Sequence, residues 1–443
     1  MRWLYNVLFM AGFILAAPYY FMRLSRRGNW VKGFGQRFAK YETNLRQAIT
    51  NRHILWIHAV SVGEMNVCVE LVQALQKRLP NIKMVVSTTT TTGMGELQKR
   101  LPAQVSKIYY PIDRRKYVYS ALSVFHPRAI VLVEAEIWPN FIWRAQALGT
   151  PLFLVNARIS DRSYPRYKRF GVLFRPLFAA FTGVAAQSEE NAARLRDLGC
   201  RPEAVHLPGN LKFDTARVDS RKALDVPGIL SQLGVQKDAL IWVAGSTHEG
   251  EEELLMQQYL RLRQKFPKLF LVLVPRHFER ARDLGRSLAR NGFRLFYRSE
   301  LKRDTSMTPG SVDCLLVNTT GELINFYRAA TVAFVGKSIA GQGGQNPIEP
   351  AAFGKATVFG PNMQNFADVA RLFVSRGAAI QVRDAAELER IMAELLGNEA
   401  KRAELGEKAS RLVQENRGAI GRTVELIVEH LQGRDMYIAP ADE

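Results

Sequence analysis

ILWIHAVSVGEMNVCVELVQALQKRL, residues 54–79, holds two periodicities in succession. Ile54–Ala59 is a short run of bulky apolar residues, the length of one buried strand. From Val67 onward the apolar residues return every three or four positions, as one face of a helix requires. Between the two lies the turn Ser61-Val62-Gly63-Glu64. A strand that passes through a tight turn straight into an amphipathic helix is half of a strand–helix–strand unit. A chain that repeats it builds a parallel sheet with helices on both faces.

The pattern recurs on the carboxyl side of this stretch. Further strands are predicted at Met84–Ser87, Lys107–Tyr110, Ala129–Glu134, Leu152–Asn156 and Gly183–Ala186, within a first unit at residues 50–213. Between Asp214 and Gln236 the periodicity fades around Pro227, Gly228 and Gly234, which marks a linker at 214–236. It then restarts, with strands predicted at Leu240–Ala244, Leu269–Val274, Arg294–Tyr297, Cys314–Val317, Val332–Val335 and Ala356–Phe359. The helical stretch from Glu387 to about Gly433 is counted with this second unit, 237–433, and 434–443 is a tail. The expected fold class is α/β, two Rossmann-like domains whose open sheets face each other. In such sheets ligands sit beyond the carboxyl ends of the strands, so the loops after the strands should carry the chemistry.

Composition narrows the partners. A chain of 443 residues with 47% hydrophobic and 23% charged residues has the balance of folded units and the length for two of them. Its formal charge of +20 attracts phosphate of any kind. Zinc-finger spacing, an aromatic RNA-binding signature and a basic heptad region are all missing, so an anionic lipid surface is expected as partner and nucleic acid is not. Cys68, Cys200 and Cys314 are far apart, and the seven histidines show no His-Glu-x-x-His spacing. Neither a disulfide framework nor a metal centre is expected.

Trp3–Met22 carries no charge and is close to the ~20 residues that cross a bilayer as a helix. Residues 1–22 are therefore expected to form a membrane-anchor helix, followed by a basic segment at 23–49. Arg23, Arg26, Arg27, Lys32 and Arg37 on that side place it in the cytoplasm. A cleaved secretory signal fits less well, because Pro18 follows the only Ala-Ala pair and the basic cluster is on the wrong side. Asn6, Gly12 and Pro18 also leave room for a helix lying in the interface.

Several post-strand loops carry reactive residue types. Glu64 falls in the first turn of its helix, where a carboxylate serves either as a helix-dipole partner or as a general base facing a ligand. In Val133-Glu134-Ala135-Glu136 two acids at i and i+2 share one side if the strand continues, a spacing for a cation or for orienting a hydroxyl. Lys212, in Pro208–Asp214, is either a solvated lysine or a counter-charge for a leaving phosphate. Gly245–Glu252 and Gly341–Pro350 are glycine-containing turns whose backbone N–H groups suit phosphate. Arg276 suits phosphate or carboxylate, and Glu349 suits ribose hydroxyls. In Ile159–Arg175 cations alternate with aromatics, which reads either as a lipid-facing surface or as a basic helix packed on the sheet.

Ser61–Asn66, Glu134–Asn140, Pro208–Asp214, Gly245–Glu252, Pro275–His277, Gly321–Leu323 and Gly341–Pro350, in this order behind a hydrophobic amino terminus, closely resemble the Kdo (3-deoxy-D-manno-octulosonic acid) transferases of lipopolysaccharide biosynthesis. The resemblance implies two Rossmann-like domains across a cleft, the GT-B type of glycosyltransferase. It implies an acceptor-binding amino-terminal domain and a carboxyl-terminal domain for the donor CMP-Kdo. The implied reaction is an inverting transfer, without metal or other cofactor, to a lipid A precursor (lipid IVA) at the cytoplasmic face of the bacterial inner membrane. On the family pattern Glu64 matches the general base, and Glu134 and Lys212 match groups that stabilise the transition state. The CMP contacts match Pro275 and Arg276, then Gly321, Glu322 and Leu323, then Asn346, Pro347, Ile348 and Glu349. Two other readings use the same architecture or charge: a transferase or epimerase of a UDP-linked hexosamine, and a non-catalytic binder of anionic lipid.

Overall fold

Each predicted strand is present in the computed structural model, which describes residues 2–25, 31, 33–50, 53–216, 224–432 and 437–440. The first sheet comprises β1 (Ile54–His58), β2 (Lys83–Thr88), β3 (Ser106–Tyr109), β4 (Ala129–Val133), β5 (Leu152–Ala157), β6 (Gly183–Ala186) and β7 (Val205–His206). Its order is β3-β2-β1-β4-β5-β6-β7, with every pairing parallel. The second comprises β8 (Leu240–Thr247), β9 (Leu269–Pro275), β10 (Leu295–Tyr297), β11 (Cys314–Leu316), β12 (Val332–Val335), β13 (Ala356–Phe359) and β14 (Ile380–Gln381). Its order is β10-β11-β9-β8-β12-β13-β14, again all parallel. The sequence reading missed the edge strands β7 and β14, because two residues are too few to show a period.

Alternation along each strand sends neighbouring side chains to opposite faces, and both faces are apolar. Trp56, Ile130 and Leu154 join one buried layer of the first sheet, while Leu55, Ile57, Val131 and Val155 join the other. The order of each sheet also locates its ligand crevice. Strand order reverses between β1 and β4 in the first sheet and between β8 and β12 in the second, and at such a switch the flanking loops diverge and leave an opening.

The chain divides into one unit of Met1–Thr215 with Arg417–Glu443 and a second of Ala216–Asn416. This corrects the expected boundary, which kept residues to 433 in the second unit. Asp214 accepts the N–H groups of Gly418 and Ile420, both at 2.7 Å, and so satisfies the free donors at the start of the helix Ala419–Glu429. Arg78 then grips Glu425 of that helix through two hydrogen bonds of 2.8 Å. Periodicity announces a helix but not the surface that will bury it, and these partners lie more than 200 positions back. The expected linker at 214–236 contains the helix Val226–Gln232, and its residues 217–223 lie outside the described part. So do 434–436 and 441–443 of the tail, and 26–30 and 32 of the basic segment.

Residues Arg2–Ser25 form one helix with Pro18 inside it. Among the described residues no helix is both long and apolar enough to cross a membrane, so the spanning anchor is not supported. The physical reason lies in its polar residues. Tyr5 Oη donates to Asp113 at 2.8 Å, and Asn6 exchanges amide hydrogen bonds of 3.0 and 3.2 Å with Asn140. One side of the helix is thus docked on protein, while Trp3, Leu8, Ile14 and Leu15 stay exposed.

Candidate functional site

At the first switch, Ser61 caps the helix Val62–Arg78. Its hydroxyl accepts from Glu64 N, and Glu64 Oε2 accepts from Val60 N at 2.8 Å. This reciprocal arrangement satisfies one donor that the helix start leaves orphaned and one N–H just before the cap. The dipole-partner reading of Glu64 is therefore realised, with Oε2 engaged by Val60 N. The residue is 8% exposed, and its carboxyl is pushed up to about 7. Burial is the main cause and the charge of Glu134 the next, with Glu136 adding and the bonds from Ser61 and Val60 opposing. A carboxylate that takes up a proton near neutrality suits general-base work.

Glu134 is not the last residue of a continuing strand, as its spacing suggested. β4 stops at Val133, and Glu134 turns to φ +62, a left-handed conformation that a residue with Cβ adopts only when its surroundings hold it there. The turn separates the two acids. Glu134 pairs with Lys212 Nζ at 2.9 Å. Glu136 lies 3.7 Å from His58 Nε2 and accepts from Trp138 Nε1 at 2.8 Å. Burial acts to raise Glu136, but the contact with His58 and the bond from Trp138 outweigh it and leave the carboxyl below its ordinary range.

The structure thus brings Glu64, Glu134 and Lys212 together, and it reveals a support that sequence reasoning missed. Asn156, buried at the end of β5 with φ +51, accepts from Leu211 N at 3.0 Å through its side chain. Its carbonyl accepts from Gln187 Nε2 at 2.8 Å. Gln187 Oε1 accepts from Asn210 Nδ2 at 2.9 Å, and Asn210 Oδ1 accepts from Lys212 N at 3.0 Å. This buried amide chain sets the backbone from which Lys212 reaches Glu134. The only signal for it in the sequence is three amides at or after the ends of neighbouring strands.

In the second unit Arg276 directly follows β9, and its N–H bonds Thr247 O at 3.0 Å. Asn346 Nδ2 donates to Glu349 at 3.2 Å. The Glu349 carboxyl is raised by burial, against the pull of Asn346 and of the Arg276 charge, and its own charge raises the buried Tyr327 hydroxyl further. Glu322 pairs with Arg298 at 3.0 Å and accepts from Thr319 at 2.7 Å, in the turn where Gly321 takes φ +82. Leu323 opens the next helix.

Several N–H groups of the expected backbone phosphate cradles already have acceptors within the protein. Asn346 Oδ1 accepts from Ile348 N at 3.1 Å, and the helix beginning there after Pro347 has only four residues, Ile348–Ala351. Fully buried Glu251 accepts from His248 N, Lys337 N, Ser338 N and Ile339 N at 3.0, 2.6, 2.8 and 3.1 Å. Its neighbour Glu252, also buried, holds Arg280 at 2.6 Å and Thr247 at 3.0 Å. These acids shape the loops after β8 and β12 from within. Among the described residues no three His, Cys, Asp or Glu side chains are grouped so as to hold a metal ion.

Residues 32–215 match the family model of 3-deoxy-D-manno-octulosonic-acid transferase (kdotransferase). The chain is 31% identical to the 3-deoxy-D-manno-octulosonic acid transferase of Haemophilus influenzae, over 85% of this chain and 87% of that one. It is 33% identical to the protein of the same name from Bordetella pertussis, again over 85% and 87%. Among solved structures, UDP-GlcNAc 2-epimerase from Neisseria meningitidis bound to UDP-GlcNAc superposes with a TM-score of 0.56 at 16% identity. That match covers 86% of this chain and 99% of the other, a likeness of fold.

Proposed function

The chain belongs to the 3-deoxy-D-manno-octulosonic acid (Kdo) transferase family, and from that premise we propose that it moves Kdo from CMP-Kdo to a lipid A precursor such as lipid IVA. The observation that carries the mechanism is Glu64, a nearly buried carboxylate raised to about 7 beside the Glu134–Lys212 pair. A sugar hydroxyl is a weak nucleophile until a positioned base takes its proton as the new bond forms. In the proposed step the acceptor oxygen bonds to the anomeric carbon of Kdo and its proton passes to Glu64. The bond to the phosphate oxygen breaks, and CMP leaves with the electron pair. One displacement inverts the anomeric centre.

Glu134 faces the positive charge that builds on the sugar, and Lys212 faces the negative charge that builds on the phosphate. The leaving group carries a single phosphate, and the proposed step is metal-free. Pro275, Arg276, Gly321–Leu323 and Asn346–Glu349 hold the CMP moiety, with Glu349 accepting from ribose hydroxyls. Mass spectrometry of products from CMP-Kdo and a lipid A precursor, with and without EDTA, tests the proposal. A mass gain of whole Kdo units in both samples is expected. Transfer from a UDP-sugar alone would end it, and loss of product with EDTA would end the metal-free form.

The same reading puts the protein at the cytoplasmic face of the inner membrane, with the exposed apolar side of the helix Arg2–Ser25 lying in the lipid interface and the net charge of +20 drawn to anionic headgroups. Equal co-sedimentation with neutral and anionic vesicles would remove the electrostatic part.

A further inference from the structure

The cation at the second switch has no role in the nucleotide contacts above. Lys337 follows β12 and His248 follows β8, the two strands between which the order of that sheet reverses. Lys337 takes φ +56, and its N–H is fixed by Glu251. Its side chain runs along the glycines after it: a Cβ on Gly341 would lie 3.1 Å from Lys337 Cγ and 3.9 Å from His248 Cβ, and one on Gly343 would lie 3.6 Å from Lys337 Cε. Side chains there would press on the lysine, so the glycines keep its path open.

The nearby carboxylate, Glu251, spends its oxygens on four backbone N–H groups, and among the described residues no acid forms an ion pair with Lys337. Glu251 takes the N–H groups of His248 and Lys337 themselves, so at these two positions it is the side chains that remain for an arriving anion. His248 supplies a different contact. Its Nδ1 lies 3.3 Å from the carbonyl oxygen of Ser246, which can only accept, so Nδ1 carries the proton and Nε2 presents a lone pair. His277 stands beside it, with ring centroids 5.6 Å apart.

We infer that Lys337 and His248 form the subsite for the sugar half of the donor, Lys337 binding the carboxylate of the acidic sugar and His248 accepting from one of its hydroxyls. The inference rests on the donor reading above. The nucleotide is already assigned to the loops at Pro275, Gly321 and Asn346, and the remaining anionic group of a CMP-linked ulosonic acid is its carboxylate. A half-buried counter-charge there discriminates an acidic sugar from a neutral one, because a neutral sugar leaves the cation unpaired.

The test is Lys337→Met with Lys337→Arg beside it, using CMP and CMP-Kdo as separate probes. Lys337→Met should raise the KM for CMP-Kdo by ~10-fold or more while the inhibition constant of CMP changes less than about 2-fold. Lys337→Arg, which keeps the charge, should retain part of the affinity. Equal weakening of CMP and CMP-Kdo would reassign the lysine to the phosphate, and no change in either would remove it from the donor site. Thermal unfolding should be unchanged in both variants, since the ammonium pairs with no acid among the described residues. Failure of the unmodified protein to bind CMP at all would instead strike the donor reading itself.

Discussion

Both sheets are seven-stranded and parallel, and each opens where its strand order reverses, yet their switches carry opposite charge. After β1 and β4 stand Glu64 and Glu134, acids at φ-strained or capped positions with Lys212 drawn in as partner. After β8 and β12 stand His248 and Lys337, with Glu251 and Glu252 turned inward to hold backbone and Arg280. On the proposed reading Glu64 and Glu134 serve the reaction in the first unit, whereas Glu251 and Glu252 in the second hold backbone and Arg280 and leave the cation for the ligand. Fold therefore supplies the location, and the sign of the side chains decides whether that location removes a proton or receives an anion.

The comparison breaks most sharply at Glu64. Glu64→Gln keeps an oxygen to accept from Val60 N, so the helix start survives while the base is lost. Turnover should fall by about 10²–10⁴-fold. Stability should move the other way. With a folded pKa of about 7 against an ordinary 4.5, the ionised carboxylate lowers stability progressively as pH rises between those values, and by a constant amount above them. The variant should therefore be more stable by about 1–3 kcal/mol above pH 7 and equal to the parent below pH 4.5. Thermal unfolding at two pH values checks the sign, and a destabilised variant would mean that Glu64 is only a cap.

The next effect is at the ion pair. Lys212→Met leaves Glu134 partly buried without its partner, and should cost about 1–3 kcal/mol and ~10²-fold in turnover. Adding Glu134→Gln should restore most of the stability but none of the rate. A double-mutant cycle in both measurements would separate packing from chemistry.

A smaller loss is expected from Asn156→Ala, which strips the acceptor from Leu211 N. Stability should drop by about 1–3 kcal/mol and turnover roughly tenfold, with the KM for donor unchanged. A change confined to donor KM would sever the link from Asn156 to Lys212. The smallest effect is in the pH profile. Activity should rise with pH and level off above about 7, as Glu64 gives up its proton. Glu134→Gln should move that midpoint down, and Glu136→Gln should move it down less, because each removes a neighbouring negative charge that holds the proton on.

The sequence by itself determined the class of the fold, the two sheets and the loops that matter. Period-two and period-3.6 patterns are local, so each strand between Ile54 and Phe359 longer than two residues was readable from its own residues. Val60–Glu64 likewise contains its whole capping interaction within five positions. Long-range partners were not readable. That Glu134 leaves its strand for Lys212, that Asn156 supports that lysine through Gln187 and Asn210, that Glu251 fills the turn at Lys337, and that the helix Ala419–Glu429 returns to Asp214 all required the tertiary structure. A periodicity shows which face of an element must be buried, but the group that satisfies a buried charge or an orphaned N–H can come from anywhere in the chain, and only folding brings it there.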